Sequence, residues 1–348
     1  MMVNNSRQKS RLAEPIPIRN VAVVYCMSTV YAFGRDNEKK ADCEVLEVAQ
    51  AIQASLEANG YNVELVDLFS TGIAELRRYD WVFNLAECVN GFPLTDYEVV
   101  EQMENLNIYF TGSRSIALKN CLDKATTKCE LLRNGIATPA YAVFSPENRI
   151  LNLLAYPLIV KPIHEDGSIG ITRDSIVKNT AELEKQVHFI HETYKQAALV
   201  EEYIEGRDIS ASIIGNDTEA EVLPLSEIAY TEQVGAKFLT FDTKWECETM
   251  DYQLSTAHCP CQLEPEMEQL MKAIALKSYR VMGCRDYARV DFRLRGNQPF
   301  VLEVNPNPCI NPIDSGFVRC CNAGGYSYSD IAIKILTDSV RNNLHEPA

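Results

Sequence analysis

The chain has 348 residues, 46% hydrophobic and 23% charged, which is the composition of a soluble globular protein with about two or three domains. Its formal net charge of −15 argues against nucleic acid as a partner, because phosphate backbones are bound by basic surfaces. No apolar run approaches the roughly 18 residues that a membrane span needs, so we expect no membrane partner. An anionic small ligand would need a local cluster of cations or a metal ion.

The amino-terminal residues 1–19, MMVNNSRQKSRLAEPIPIR, lack the apolar core of a secretory signal, and we interpret them as a flexible arm. The chain has twelve cysteines but no CxxC pair, and the closest groups are CPC at residues 259–261 and RCC at residues 319–321. Without a signal sequence, such cysteines are typical of reduced thiols, which predicts a cytoplasmic protein.

Strand and helix patterns alternate through residues 20–119, which predicts a parallel α/β domain. NVAVVYC, YNVELVDL, DWVFNLA and NIYFTG are predicted strands. Apolar residues at helical spacing predict a first helix that ends at Gly60. A capping box of Thr95 and Glu98 predicts a second helix over YEVVEQMENL.

Two further regions are predicted at residues 120–204 and 205–348. The first combines helices over DKATTKCELLRNG and about 180–195 with strands at ATPAYAVF, YPLIVKP and ALVEEYI. The second begins with DISASIIG and EAEVLPLSEIAY, whose pattern favours antiparallel strands. A helix over EPEMEQLMKAIALKSYRVMG follows, with Pro265 in its first turn and Gly283 after its end. The chain closes with a helix.

The stretch ARVDFRLRGNQPFVLEVNPNP has the pattern of a β-hairpin with a turn in RGNQP. A turn centred on Asn297 places Asp291 opposite Glu303 and Arg289 opposite Asn305, with Cβ atoms about 4.5–5.5 Å apart. Two carboxylates at that distance repel each other unless a cation lies between them. Their hard oxygen atoms are the ligands that Mg²⁺ prefers, and the alternative is a solvated hairpin face.

The segment YPLIVKPIHEDGSIGI ends an apolar strand at Lys161 and continues into a loop with Gly167, Ser168 and Gly170. A glycine-rich turn lets backbone N–H groups converge on a phosphate, and a lysine adds a positive charge. The chain has no GxxxxGK[ST] motif, so this is not a Walker loop. The alternative is a surface hairpin with a solvated lysine.

Together these motifs resemble the ATP-grasp superfamily, and most closely its D-alanine–D-alanine ligase-like branch. The matching segments span nearly the whole chain, in the order YFTGS, LDKATTK, GIATPAY, LIVKP with EDGSIGI, VEEYIEGRD, CP, ARVDFRL, LEVNPNP and SGF with AGGYSY. The resemblance implies an ATP-grasp fold of mixed α/β class, with an amino-terminal parallel α/β domain and two α+β subdomains that enclose ATP. It also implies a homodimer.

The resemblance assigns a nucleotide site and a reaction centre to residues of this chain. In the nucleotide site, Lys124 and Lys161 hold phosphates, the loop at Gly167 and Ser168 covers them, Glu201, Tyr203 and Ile204 contact adenine, and Asp208 contacts ribose. In the reaction centre, Asp291, Glu303 and Asn305 bind Mg²⁺, with Mn²⁺ as an alternative, Lys244 contacts the γ-phosphate, Arg289 stabilises the tetrahedral intermediate, and Ser315 and Gly316 bind the carboxylate of the second substrate.

The implied reaction joins the amine of an amino acid to an acid through an acyl phosphate, with release of ADP and phosphate. Phosphoryl transfer depends on positioning and on neutralised charge more than on covalent help. Lys124, Lys161, Lys244 and Arg289, together with one or two Mg²⁺ ions, would supply that charge. An arginine near the reacting carbon stabilises the developing oxyanion.

One region departs from the pattern of true D-alanine–D-alanine ligases. Those enzymes carry a short glycine-rich loop and a glutamate after the first strand, where this chain has YCMSTVYAFGRDNEKKADCE with Glu44 as the nearest acid. Gly167 and Trp245 replace the serine and tyrosine that hold that glutamate. We therefore expect a different first acid, or a vinylogous acid as in ligases of mycosporine-like amino-acid biosynthesis.

Two alternatives to that expectation stay open. One is a genuine D-alanine–D-alanine ligase of cell-wall synthesis. The other, from a different class, is a catalytically inactive nucleotide-binding module, which we would expect to have lost a metal ligand or a phosphate-binding lysine. None of the corresponding residues is missing from the sequence.

Overall fold

The computed structural model describes residues 18–26, 45–86, 88–89, 92–93, 96–147, 150–151, 153–231, 238, 240, 255–313 and 315–345. Its helices are α1 (Val45–Glu57), α2 (Asp96–Asn105), α3 (Ser115–Leu122), α4 (Lys124–Arg133), α5 (Thr180–Tyr194), α6 (Pro265–Val281), α7 (Gly316–Ala323) and α8 (Tyr328–His345). Its strands are β1 (Asn20–Tyr25), β2 (Asn62–Asp67), β3 (Trp81–Asn84), β4 (Cys88–Val89), β5 (Phe92–Pro93), β6 (Tyr141–Phe144), β7 (Leu158–Pro162), β8 (Ile176–Val177), β9 (Ala198–Glu202), β10 (Arg207–Ile214), β11 (Glu221–Val222), β12 (Ser226–Tyr230), β13 (Ser255–His258), β14 (Tyr287–Arg295) and β15 (Gln298–Asn305).

The amino-terminal sheet is parallel, with strand order β2-β1-β3. Val21 and Val23 of β1 pack in one apolar cluster with α1 and α8, whereas Ala22 and Val24 pack in a second cluster with α2. Helices therefore cover both faces of the sheet, and an unbroken run of apolar residues suits the buried central strand. This confirms the predicted parallel α/β arrangement.

The predicted strand NIYFTG is reduced to one parallel bridge between Val82 and Phe110. Asn107 and Gly112, with φ of 52° and 92°, take the left-handed conformation on either side of it. Too few extended residues are left between them for a longer strand. The predicted capping residue Thr95 lies outside the described residues, and α2 begins at Asp96.

Strands β4 and β5 form a short antiparallel pair, and two larger antiparallel sheets follow, here called the second and third sheets. The second sheet has the order β6-β9-β7-β8, and the third sheet has the order β13-β12-β10-β14-β15, with β11 also paired to β10. Helix α6 begins at Pro265 and is followed by Gly283, which has a φ of 69°, as the sequence predicts. The boundaries predicted at residues 119 and 204 stay predictions.

The last helix, α8, returns to the amino-terminal sheet. Ile331 and Ile335 are fully buried in the cluster that contains Val21 and Ile52. Ile214 of β10 and Tyr287 of β14 belong to the same cluster, so this apolar core connects the third sheet with the first. No helix in the described ranges is long and apolar enough to span a membrane.

Candidate active site

The hairpin of β14 and β15 carries the predicted metal ligands in the predicted register, with Asp291 opposite Glu303 and Arg289 opposite Asn305. The turn itself is shorter than predicted, because Arg295 pairs with Gln298. A register shift next to Asp291 makes up the difference. Without this bulge, Glu303 would lie opposite Val290 and face away from Asp291, since neighbouring residues of a strand point to opposite faces.

Three side chains with hard oxygen atoms, Asp291, Glu303 and Asn305, lie beside Arg289 on this hairpin. Arg289 donates to both carboxylate oxygens of Asp291, with Nε–Oδ1 and Nη2–Oδ2 distances of 2.7 and 2.8 Å. The Asn305 Oδ1 atom accepts a hydrogen bond from the Asn307 backbone N–H at 3.0 Å.

The donor set fits a divalent ion that keeps other ligands. No cluster of three or more His, Cys, Asp or Glu side chains suited to a metal occurs in the described ranges. The predicted set has two carboxylates and one amide, and Mg²⁺ is commonly held by one or two carboxylates together with substrate phosphates. The residues present are therefore compatible with a metal ion that binds along with a nucleotide.

The two carboxylates differ in protonation behaviour. Burial would raise the pKa of Glu303, but the positive charges of Lys124, Lys161 and Arg289 outweigh it and lower the pKa to about 2. For Asp291, burial outweighs the opposing effect of Arg289, and the pKa is raised. Glu303 is therefore a carboxylate anion across the physiological range.

A lysine cluster adjoins the hairpin. The Nζ atom of Lys124 lies 3.7 Å from Glu303 Oε2 and contacts the carbonyl oxygen of Glu165. The Lys161 Nζ atom lies 2.5 Å from Glu201 Oε2, and the side chain is 7% exposed. The alternative of a solvated lysine at position 161 is therefore wrong. Positive charge collects in a buried space at the edge of the carboxylate hairpin.

Lys128 belongs to the same cluster and was missed in the sequence. Its fully buried Nζ forms an ion pair with Glu201 Oε1 and donates to Thr138 Oγ1 at 2.8 Å. A usable signal was present, because Lys124 and Lys128 are four residues apart and lie on one face of α4. That face also carries buried Leu131, so a charged residue there needs a partner.

The predicted adenine contacts lie in β9, which contains Glu201, and in the connection to β10, which contains Tyr203 and Ile204, whereas the predicted ribose contact Asp208 lies in β10. Ile204 is buried, and the half-buried Tyr203 ring packs edge-to-face against Phe238 at a centroid distance of 6.2 Å. Asp208 accepts a hydrogen bond from Tyr230 Oη at 2.8 Å and lies 3.8 Å from Arg293 Nη1. Tyr230 and Arg293 are neighbours that the sequence did not reveal.

The loop after β7 has an unusual backbone. Gly167 and Ser168 both have positive φ, of 56° and 66°. A Cβ atom on Gly170 would lie 2.4 Å from Pro162 Cγ, so only glycine fits there. Left-handed conformations at non-glycine residues tend to occur at ligand clamps, which agrees with the predicted lid.

Comparison with known proteins was made for both sequence and structure. The family model described as D-ala D-ala ligase C-terminus matches residues 131–337. The D-alanine–D-alanine ligase of Carboxydothermus hydrogenoformans is 33% identical, over 84% of this chain and 92% of its own length. The chain belongs to the D-alanine–D-alanine ligase family. It is therefore an ATP-dependent C–N ligase, as the resemblance implies.

One further sequence relative and one solved structure are similar to this chain. The uncharacterized protein y4sG of Sinorhizobium fredii is 33% identical, over 83% of this chain and 86% of its own. A crystal structure of the D-alanine–D-alanine ligase from Bacillus anthracis complexed with ATP has a TM-score of 0.74 at 23% identity, covering 93% of this chain and 98% of that one. This likeness confirms the predicted ATP-grasp fold.

The remaining predicted residues of this family member lie at the start of α7 or outside the described residues. Ser315 caps α7, because its Oγ accepts from Val318 N–H at 3.1 Å and donates to the Cys309 carbonyl oxygen at 2.6 Å. Gly316 is the first residue of that helix. Lys244, Trp245 and Glu44 lie outside the described residues.

Proposed function

We propose that the protein is a magnesium-dependent ligase that condenses two amino acids, with D-alanine as the first substrate to be tested in both positions. One observation carries the proposal. The buried lysines and the carboxylate hairpin meet in one site, where Lys124 Nζ lies 3.7 Å from Glu303 Oε2. Relatives named D-alanine–D-alanine ligase support the dipeptide product over the vinylogous acid that we predicted.

In this proposal, each charged residue performs one part of acyl activation. A carboxylate resists attack by an amine because its carbon is electron-rich and oxide is a poor leaving group. Lys124 and Lys161 hold the phosphates of ATP, so that the γ-phosphoryl group is aligned for transfer to the substrate carboxylate. Asp291, Glu303 and Asn305 would hold Mg²⁺, which neutralises phosphate charge when it is bound.

Arg289 acts in the second half of the reaction. Its guanidinium is fixed by the two hydrogen bonds to Asp291, so its remaining donors keep one orientation. Attack of the amine on the acyl phosphate puts negative charge on the carbonyl oxygen, and a pre-oriented cation stabilises that charge. Ser315 and Gly316 at the start of α7 would bind the carboxylate of the amine substrate.

A second candidate differs only in the first acid, and Gly167 favours it. The resembling ligases carry a serine at this position, whereas Gly167 has a φ of 56°, where glycine is favoured and a side chain introduces strain. The loop is thus suited to glycine and lacks the hydroxyl that a serine would supply. A bulkier acid, or a ring-based vinylogous acid, would be one that does not depend on that hydroxyl.

An ADP-release assay with Mg²⁺ and ATP decides between these candidates. D-alanine alone is compared with a panel of acids crossed with amino acids, and Mn²⁺ replaces Mg²⁺ in a parallel series. Dipeptide formation from D-alanine supports the first candidate. ADP release that occurs with another acid but not with D-alanine supports the second. MgATP binding without ADP release for any pair would identify an inactive nucleotide-binding module. Light scattering on the same preparation tests the homodimer.

A further inference from the structure

Lys128 has no part in the reaction proposed above, yet it is the most deeply buried charge of the site. It lies one helical turn after Lys124 on α4 and has 0% side-chain exposure. Its ammonium group donates to Thr138, forms an ion pair with Glu201 and lies 5.9 Å from the centroid of the Tyr141 ring. A lysine without solvent contact needs a specific reason to be there.

Its partner Glu201 is shared between two lysines. Lys128 contacts Oε1 and Lys161 contacts Oε2, so the three side chains carry one positive charge in excess. Burial would raise the pKa of Glu201, but the two lysines outweigh it and the pKa is lowered. Glu201 is therefore a buried anion, and such an anion is strongly unfavourable once it loses every cation.

The two lysines are not equivalent. Lys161 is the penultimate residue of β7, next to the loop that contains Gly167 and Ser168, and its side chain is 7% exposed. Lys128 is held from a second side by Thr138 Oγ1 and has no exposed surface. Lys161 is therefore able to leave Glu201 and bind a phosphate instead, whereas Lys128 keeps its ion pair with Glu201.

We propose that Lys128 is the resident counter-ion of Glu201 and thereby a positioning residue that frees Lys161 to hold a nucleotide phosphate. The inference rests on the proposed function, because the phosphate contact of Lys161 belongs to it. Without Lys128, Lys161 would be the one cation left in an ion pair with Glu201 among the described residues, and a phosphate would have to compete with that carboxylate. The excess positive charge is the part of the cluster that is available to the nucleotide.

The test is a double-mutant cycle on the affinity for MgADP, measured by titration calorimetry with the full chain. Lys128→Met is expected to weaken binding by about ten-fold or more. Adding Glu201→Gln removes the anion that needs the counter-ion, so the double variant should bind within about three-fold of Glu201→Gln alone. Lys161→Met should weaken binding as well, but Glu201→Gln should not restore it, because the phosphate contact itself is gone.

Two variants serve as controls. Lys128→Arg keeps the charge and should bind more tightly than Lys128→Met, and Lys185→Met on the exposed face of α5 should bind as wild type. If Lys128→Met fails to fold, Glu201→Gln is compared with the double variant, which leaves no unpaired anion at this position. Equal affinity of these two supports the inference.

Three outcomes would separate the inference from the proposed function. Wild-type affinity in Lys128→Met, or a loss that Glu201→Gln leaves unchanged, would overturn the counter-ion role alone. Failure of the wild-type chain to bind MgADP at all would overturn the nucleotide site and the proposed function with it. A thermal melt of each variant shows that the affinities refer to folded protein.

Discussion

Two groups of buried charges in the described part of the chain are built differently. At the active site, Glu201 is neutralised by Lys128 and Lys161, so one charge is balanced chiefly by others. At the junction of the first and third sheets, Arg285 donates to the carbonyl oxygens of Gly112 and Phe110, at 2.8 and 3.2 Å.

The neighbouring Asp286 of this junction is satisfied in the same manner. It accepts from the Gly112 backbone N–H and from Asn216 Nδ2, both at 2.7 Å. Backbone donors and acceptors cannot leave, whereas a lysine on a flexible stem can rotate toward another anion. The junction therefore holds the sheets together, and the site keeps a charge that a ligand can take over.

The largest expected effect is on stability, at the junction. The Nε atom of Arg285 lies 3.8 Å from Oδ2 of the buried Asp286. Arg285→Met removes this cation, which should lower the free energy of unfolding by about 3–5 kcal/mol. Urea denaturation followed by circular dichroism measures it. Arg280→Met, at an exposed position of α6, should change the same quantity by less than about 0.5 kcal/mol. Equal effects of the two would mean that the junction does not depend on buried charge.

The next effect concerns catalysis at the site. Glu303→Ala removes a predicted metal ligand, so ADP release should fall about 10²–10³-fold while the urea midpoint changes little. The side chain is 29% exposed, so its loss opens no closed cavity. Glu268→Ala, which removes an ion-paired glutamate of similar exposure on α6, is the matched control. Wild-type turnover of Glu303→Ala would show that the metal assignment is wrong.

Much of the fold was predictable from the sequence, because buried strands show apolar runs and helix ends are marked by proline and glycine. The apolar run of β1 and the Pro265 and Gly283 boundaries of α6 predicted those elements correctly. The missed helix α3 follows Arg114, whose side chain makes no cap hydrogen bond. The missed helix α7 does carry a capping signal at Ser315, which the sequence led us to assign to substrate binding instead.

The identity of the site residues was easier to predict from the sequence than the contacts between them. The opposition of Asp291 and Glu303 follows from the period of a strand, although the bulge that secures it has no mark in PFVLEVN. The pairing of Lys128 with Glu201 joins residues of α4 and β9, far apart in sequence. Periodicity within one element cannot report such a contact, because it depends on how the elements pack.

The smallest expected effect is a pH dependence of MgADP affinity, which we expect from the charges of the active site and not from those of the junction. Burial lowers the pKa of Lys128 to about 8, with Lys161 acting in the same direction and Glu201 opposing it. The counter-ion is thus present below about pH 8 and is lost above it. If the nucleotide complex requires the protonated form, MgADP affinity should fall about five-fold between pH 8 and pH 9.

The neighbours of Lys128 with shifted pKa values do not change their protonation in this pH range. Glu201 on β9 and Glu303 on β15 stay ionised in this range, because both have lowered pKa values. Lys161 on β7 and Tyr141 on β6 have raised pKa values and keep their protons. Lys128→Arg should remove the step, since a guanidinium stays charged throughout. A parallel fall of affinity in wild type and Lys128→Arg would assign the pH dependence to a group other than Lys128.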